Sequence, residues 1–193
     1  MMKKSVIPLR LRAWGLMLLL SLVFAGPAFA REVVIRDIVV TNSSTDLLLF
    51  LKVVDAFSPE IIDGVQNGLA ATFNFEINLH LVREGWPDKE IYSGRLDHTL
   101  SYDPLKKEYR LALTENGPQE VAAVSVEKAK VMMAELNGVK LLPLSALEPD
   151  HQYVLKVRAT LAKKTLPLQA HYLVPFSSFW NVNTDWHTVQ FRF

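Results

Sequence analysis

The chain contains no cysteine. That excludes a disulfide framework and an acylated N-terminal cysteine, so a folded domain here must hold itself together by burial. After Ala25 no apolar run approaches the length needed to cross a bilayer as a helix. Catalytic and cofactor signatures are equally scarce. There is no Gly-x-Ser-x-Gly elbow, no Walker loop and no dinucleotide fingerprint. The five histidines (His80, His98, His151, His171 and His187) show none of the spacings that write a metal site locally, so any such site would have to be assembled from separate strands. Long linkers, low-complexity tracts and internal repeats are missing too, which leaves one domain as the simplest organisation. No enzyme activity, cofactor or metal is expected.

What is present begins with an export signature. Lys3, Lys4, Arg10 and Arg12 precede an apolar stretch from Ala13 to Ala25. Gly26-Pro27 then breaks it, and Ala28-Phe29-Ala30 has the small-x-small pattern of a cleavage point. Residues 1–30 are read as a cleavable signal peptide and 31–193 as a single periplasmic β-rich domain. An uncleaved anchor in the inner membrane is the alternative. Four of the 21 basic residues leave with the signal, so 17 remain against 20 acidic ones. That balance argues against nucleic acid and against general attraction to anionic headgroups.

The stretch from Phe57 to Arg83 organises the rest. Ser58 and Pro59 suit the start of a helix, Ile61, Val65 and Leu69 share one face, and Gly68 suits its end. From Thr72 to Leu81 the alternation is complete, with Phe73, Phe75, Ile77, Leu79 and Leu81 on one face. Upstream, Arg31 to Thr41 and Asp46 to Asp55 read as two strands. The second is apolar on both faces and is expected to be central and covered on both sides. Downstream, Glu90–Tyr102 and Glu108–Leu113 alternate as strands, joined by a turn at Asp103-Pro104. Ser125 caps a second helix expected to reach Leu136, with Asn137-Gly138 ending it. Val139–Leu144 is a short piece that Pro143 restricts to a sheet edge. Tyr153–Leu161 and Thr184–Phe193 are further strands, separated by an irregular stretch from Lys163 to Ser178. The fold class is therefore α+β, mainly antiparallel, in the order ββαβββα(β)ββ. Either a β sandwich-like pair of sheets or one strongly curved sheet with two helices fits.

Two features resemble chemistry. Ser125-Val126-Glu127-Lys128 matches Ser-x-x-Lys, the nucleophile motif of penicillin-binding proteins, but a helix cap explains Ser125 fully and Lys164-Thr165-Leu166 lacks the glycine of the companion motif. His98 falls on the apolar face of its strand, where a hydrogen-bonded buried histidine is the ordinary outcome. The aromatic tail is the stronger signal. Tyr172, Phe176, Phe179, Trp180 and Trp186 are the candidate contact residues for a partner or an apolar ligand; the alternative is that they complete the core.

The ordered segments Leu69-Ala70-Ala71-Thr72-Phe73, Arg83-Glu84-Gly85-Trp86-Pro87-Asp88, Leu100-Ser101-Tyr102-Asp103-Pro104-Leu105, Tyr153-Val154-Leu155-Lys156-Val157-Arg158 and Thr184-Asp185-Trp186 resemble an exported bacterial family known as domain of unknown function 4390. The resemblance spans nearly all of residues 31–193 and carries over no catalytic residue. It implies a signalling context, since genes of that family often neighbour a membrane sensor histidine kinase. The expectation is a non-enzymatic periplasmic interaction module with an envelope or inner-membrane partner. A carrier of an apolar ligand such as lipid is the alternative, and a hydrolase with a dispersed site the third reading.

Overall fold

Strand β3 (Ala71–Leu81) shows what the alternation does. Its inward residues Phe73, Phe75, Ile77 and Leu79 have no solvent exposure, while its other face is half-buried, except for Asn74, which is buried. The computed structural model describes residues 33–163 and 182–193. The expected signal at 1–30 and nearly all of the expected irregular stretch lie outside them.

Ten strands and two helices are described. β1 (Val34–Asn42) and β2 (Asp46–Val54) precede helix α1 (Pro59–Gln66). After β3 come β4 (Lys89–Asp103), β5 (Glu108–Leu113) and β6 (Glu120–Ala123). Helix α2 (Val126–Ala134) leads directly into β7 (Glu135–Pro143). β8 (Gln152–Lys163), β9 (Val182–Asn183) and β10 (His187–Arg192) complete the set. The larger sheet has the order β10-β8-β3-β4-β5-β6, with β9 beside β8; the smaller is β1-β2-β7. Every pairing is antiparallel. Both sheets and both helices contribute to one hydrophobic cluster, so of the two expected arrangements the pair of sheets is the one observed.

The core follows from these periods. Leu47, Leu49, Leu51 and Val53 of β2 meet the inward faces of β3 and of β8 (Tyr153, Leu155, Val157, Ala159, Leu161) within the cluster. Ile61 and Val65 of α1 and Ala129 and Met133 of α2 cover it further. Burying one such side chain stabilises by about 1.5–3 kcal/mol, which is how a domain without disulfides holds together. No described helix is long and apolar enough to cross a membrane.

Several expectations are corrected. β2 is central in its sheet, but only one of its faces is buried; Leu48, Phe50 and Val54 on the other are half-buried. Ser58 makes no side-chain cap bond; its carbonyl accepts from Ile61 and Ile62 instead. Helix α2 stops at Ala134, two residues before the expected end, because Glu135 already has extended backbone and Leu136 is pulled into pairing with Leu51. Asn137-Gly138 therefore sits inside a strand. Gly138, at φ 70°, falls where the β2–β7 register shifts, between the pairs Leu49–Val139 and Phe50–Asn137. β6 was not expected at all: four residues are too few for a period to show. The final strand, expected from Thr184, begins only at His187 as β10; residues 184–186 are not in a strand, and the short β9 precedes them. Other expectations hold. Ser125 Oγ accepts from the Lys128 N–H at 3.2 Å, a helix cap rather than a nucleophile with its base. Asp103 Oδ1 accepts from the N–H groups of Leu105 and Lys106, closing the turn that Asp103-Pro104 implied.

Phe75→Ala should lower unfolding free energy by about 3–5 kcal/mol, measured by urea titration, since β3 is buried between two partner strands. Gly138→Ala should cost about 1–3 kcal/mol. A Cβ there would lie 3.2 Å from the Phe50 ring in a backbone conformation disfavoured for other residues. Gly85→Ala, at φ 73° with open space around it, should cost less.

Candidate contact surface

The outward face of the larger sheet carries the polar half of each alternating strand. Cross-strand pairs there satisfy one another. Thr72 meets Thr99 at 3.0 Å, Asn74 donates to Asp97 at 2.8 Å, and Ser93 donates to Asn78 at 2.9 Å. The Arg158 guanidinium donates from Nε and Nη2 to one Glu76 oxygen, at 3.1 and 2.8 Å. Glu76 in turn stands opposite Arg95, whose Nε donates to Asp97 at 2.8 Å. Both Arg158 and Glu76 are more than a quarter exposed, so this ion pair fixes geometry more than it adds stability.

Trp186 ends this row. Just before it, Thr184 is buried and grips β8 twice: its N–H donates to the Ala159 carbonyl and its Oγ1 accepts the Ala159 N–H, each at 3.0 Å. That clasp fixes the break between β9 and β10. His187 then pairs with Val157, whose side chain faces the core, so the preceding Trp186 is turned outward beside Arg158. The Arg158 guanidinium lies 4.7 Å from the centre of the Trp186 ring, a cation–π contact. Trp186 remains 42 % exposed. The alternative that it completes the core therefore fails for this residue. Tyr172, Phe176, Phe179 and Trp180 lie outside the described residues.

Other exposed apolar side chains are differently placed. Trp86 stands in the β3–β4 turn, Leu105 in the β4–β5 turn and Val124 beside the start of α2. Scattered residues of this kind are ordinary on a protein surface. Three of the four sheet edges are poor templates for an added strand: β1 has a register shift after Arg36 with Asp37 at φ 52°, β6 has four residues, and β7 is irregular and ends in Pro143. The fourth, β10, pairs with β8 in unbroken register from His187 to Arg192.

The histidines remain separate. His80 stands 3.8 Å from Glu90, while His151 and His187 each donate from Nδ1 to a nearby carbonyl, of Pro149 and Asp185. Among the described residues no group of three His, Asp or Glu side chains could hold a metal ion. His98 is fully buried, as its place in the period implied, and is bonded on both ring nitrogens. Arg158 and Glu76 were missed as site residues. In the sequence they are polar-face positions of two strands, 82 residues apart, and only the β3–β8 register brings them together.

No curated protein and no solved structure matches the chain. A family model described as a domain of unknown function, DUF4390, matches residues 30–190. The match covers the fold from before β1 into β10, and the chain belongs to this family.

Proposed function

We propose that the chain is a non-enzymatic binding module of the cell envelope, exported by its N-terminal signal, and that the outer face around Trp186 is its contact surface. One observation carries this reading: a large aromatic side chain is held outside the core, 42 % exposed, by an arginine that is itself fixed by Glu76. Tryptophan and arginine are the residues that most often dominate binding energy at protein contacts, and side chains already ordered lose less entropy on binding. The rival carrier role needs interior space, and the space between the sheets is occupied by Phe73, Phe75, Leu49, Ile77 and Leu79. A membrane protein of the envelope is the partner this reading favours, and the sensor kinase implied by the family resemblance is the first to look for.

The test is crosslinking in the intact envelope with wild-type chain and with Trp186→Ala, followed by identification of captured proteins. Trp186→Ala should lower stability by about 1–2 kcal/mol, the loss of one partly exposed cation–π contact and of the covered part of the ring. It should abolish capture of a recurrent envelope protein. Loss of about 3–5 kcal/mol would instead mark Trp186 as a core residue. Undiminished capture by the folded variant would move the contact surface elsewhere.

A further inference from the structure

His98 belongs to none of the contacts described for the outer face. It lies on the inward side of β4, opposite Phe73 and Leu113 on the neighbouring strands, with its ring edge-on to Phe75 at 4.9 Å between centroids. Its Nδ1 lies 3.0 Å from the Met133 carbonyl oxygen, in the last turn of α2. Its Nε2 lies 2.9 and 3.1 Å from the two carboxylate oxygens of Glu115, in the short 3-10 turn Thr114–Asn116.

The chemistry of the acceptors decides the proton count. A carbonyl oxygen only accepts, so Nδ1 must donate to Met133. An ionised carboxylate only accepts, so Nε2 must donate as well. A neutral imidazole has one N–H and cannot make both bonds. The carboxyl of Glu115 is ionised: burial pushes it upward, but the His98 hydrogen bond, a bond from its own backbone and the imidazole charge together hold it below the usual value. The end of α2 favours a cation at Nδ1, because its last carbonyls carry the negative end of the helix dipole.

Two consecutive residues of β4 thus hold the 114–116 turn. At the strand edge the Asp97 N–H donates to Thr114 Oγ1, and that hydroxyl donates back to the Asp97 carbonyl, each at 2.9 Å. On the inner face His98 holds Glu115. The first link carries no ionisable group. The second depends on a proton.

We infer that His98, Glu115 and the Met133 carbonyl form a proton-held latch. With the imidazole doubly protonated, β4 is tied at once to the end of α2 and to the 114–116 turn; when one ring proton leaves, one of those ties must open. Among the described residues the charged groups around it are few. β3 presents Phe73 and Phe75, β5 presents Leu113, and the turn presents Glu115. On α2, Glu127 and Lys128 are exposed, and Lys130 lines a shallow groove with Lys52, Asp55 and Glu135.

The sign of the pH dependence follows. Glu115 has a lowered value in the fold, so its contribution is present above the unfolded carboxyl value and is lost as pH falls through the folded one.

The experiment uses the full chain with 15N-labelled histidine, and Glu115→Gln as the variant. Replacing His98 risks unfolding the core, whereas residue 115 sits in a turn that Thr114 still holds. At neutral pH the His98 ring should show both nitrogens protonated. When pH is raised until one proton leaves, amide exchange in residues 114–117 or at the end of α2 should quicken about tenfold beyond the intrinsic pH effect, the expected loss of one charged hydrogen bond. Glu115→Gln should remove that step for the turn and leave the β3 amides unchanged. A single protonated ring nitrogen at neutral pH would overturn the latch. So would a Glu115→Gln chain whose turn exchange follows the wild-type pH profile.

Discussion

Strand β3 is paired along its whole length on both edges, with β4 on one side and β8 on the other. It is also covered on its inward face by the smaller sheet and the helices. Apolar side chains there can leave water only if β4 and β8 are in register beside them, because a one-residue slip would turn every core residue outward. The constraint propagates. Register with β8 sets which residues of β10 face out, and register with β4 sets that Asp97 faces out while His98 faces in. Without disulfides, this shared burial is what fixes the geometry of both polar systems described above.

The period-2 rule makes those two systems mirror images across one sheet. On the outer face, water is near, and the Arg158–Glu76 and Asn74–Asp97 bonds mainly order the side chains. On the inner face, water is excluded, and a polar group such as His98 must find partners or destabilise the fold. The same turn, Thr114–Asn116, is tied to β4 twice, by Thr114 to the Asp97 main chain and by Glu115 to the His98 ring. Its position is therefore coupled to the strand backbone through one residue and to the core through the next.

How much of this was legible depended on whether the signal was periodic. β3, β4, β5 and β8 were readable because each has at least three alternating residues of clear polarity, and the inward place of His98 came with them. Helix α1 and its end at Gly68 were readable from turn chemistry, and the cap of α2 from Ser125. The end of α2 was not. Leu136 suits a helix face and a strand equally, and pairing with β2 decided it, a long-range term that local pattern does not carry. β6 spans only two alternations, too few to stand out as a period. Trp186 could be named from composition, but its orientation could not. In an unbroken strand it would share a face with Thr188 and Gln190, and the sequence alone does not say whether that face is core or solvent.

The orientation of Trp186 also bears on why such an arrangement persists. A tryptophan left 42 % exposed forgoes a substantial part of the burial that its side chain would gain in a core, where truncating it would cost about 3–5 kcal/mol. The cation–π contact with Arg158 returns only about 0.5–1 kcal/mol at an exposed site. Thr184 fixes the backbone just before it and Arg158 packs on the ring, which orders the side chain in part before any binding. A partly exposed aromatic positioned by such contacts is suited to contact with a partner, because part of the ordering that binding requires is already in place. Local arrangements that work against stability yet are held by specific bonds are where function is most reasonably sought, and on the described surface Trp186 with Arg158 and Glu76 is such an arrangement.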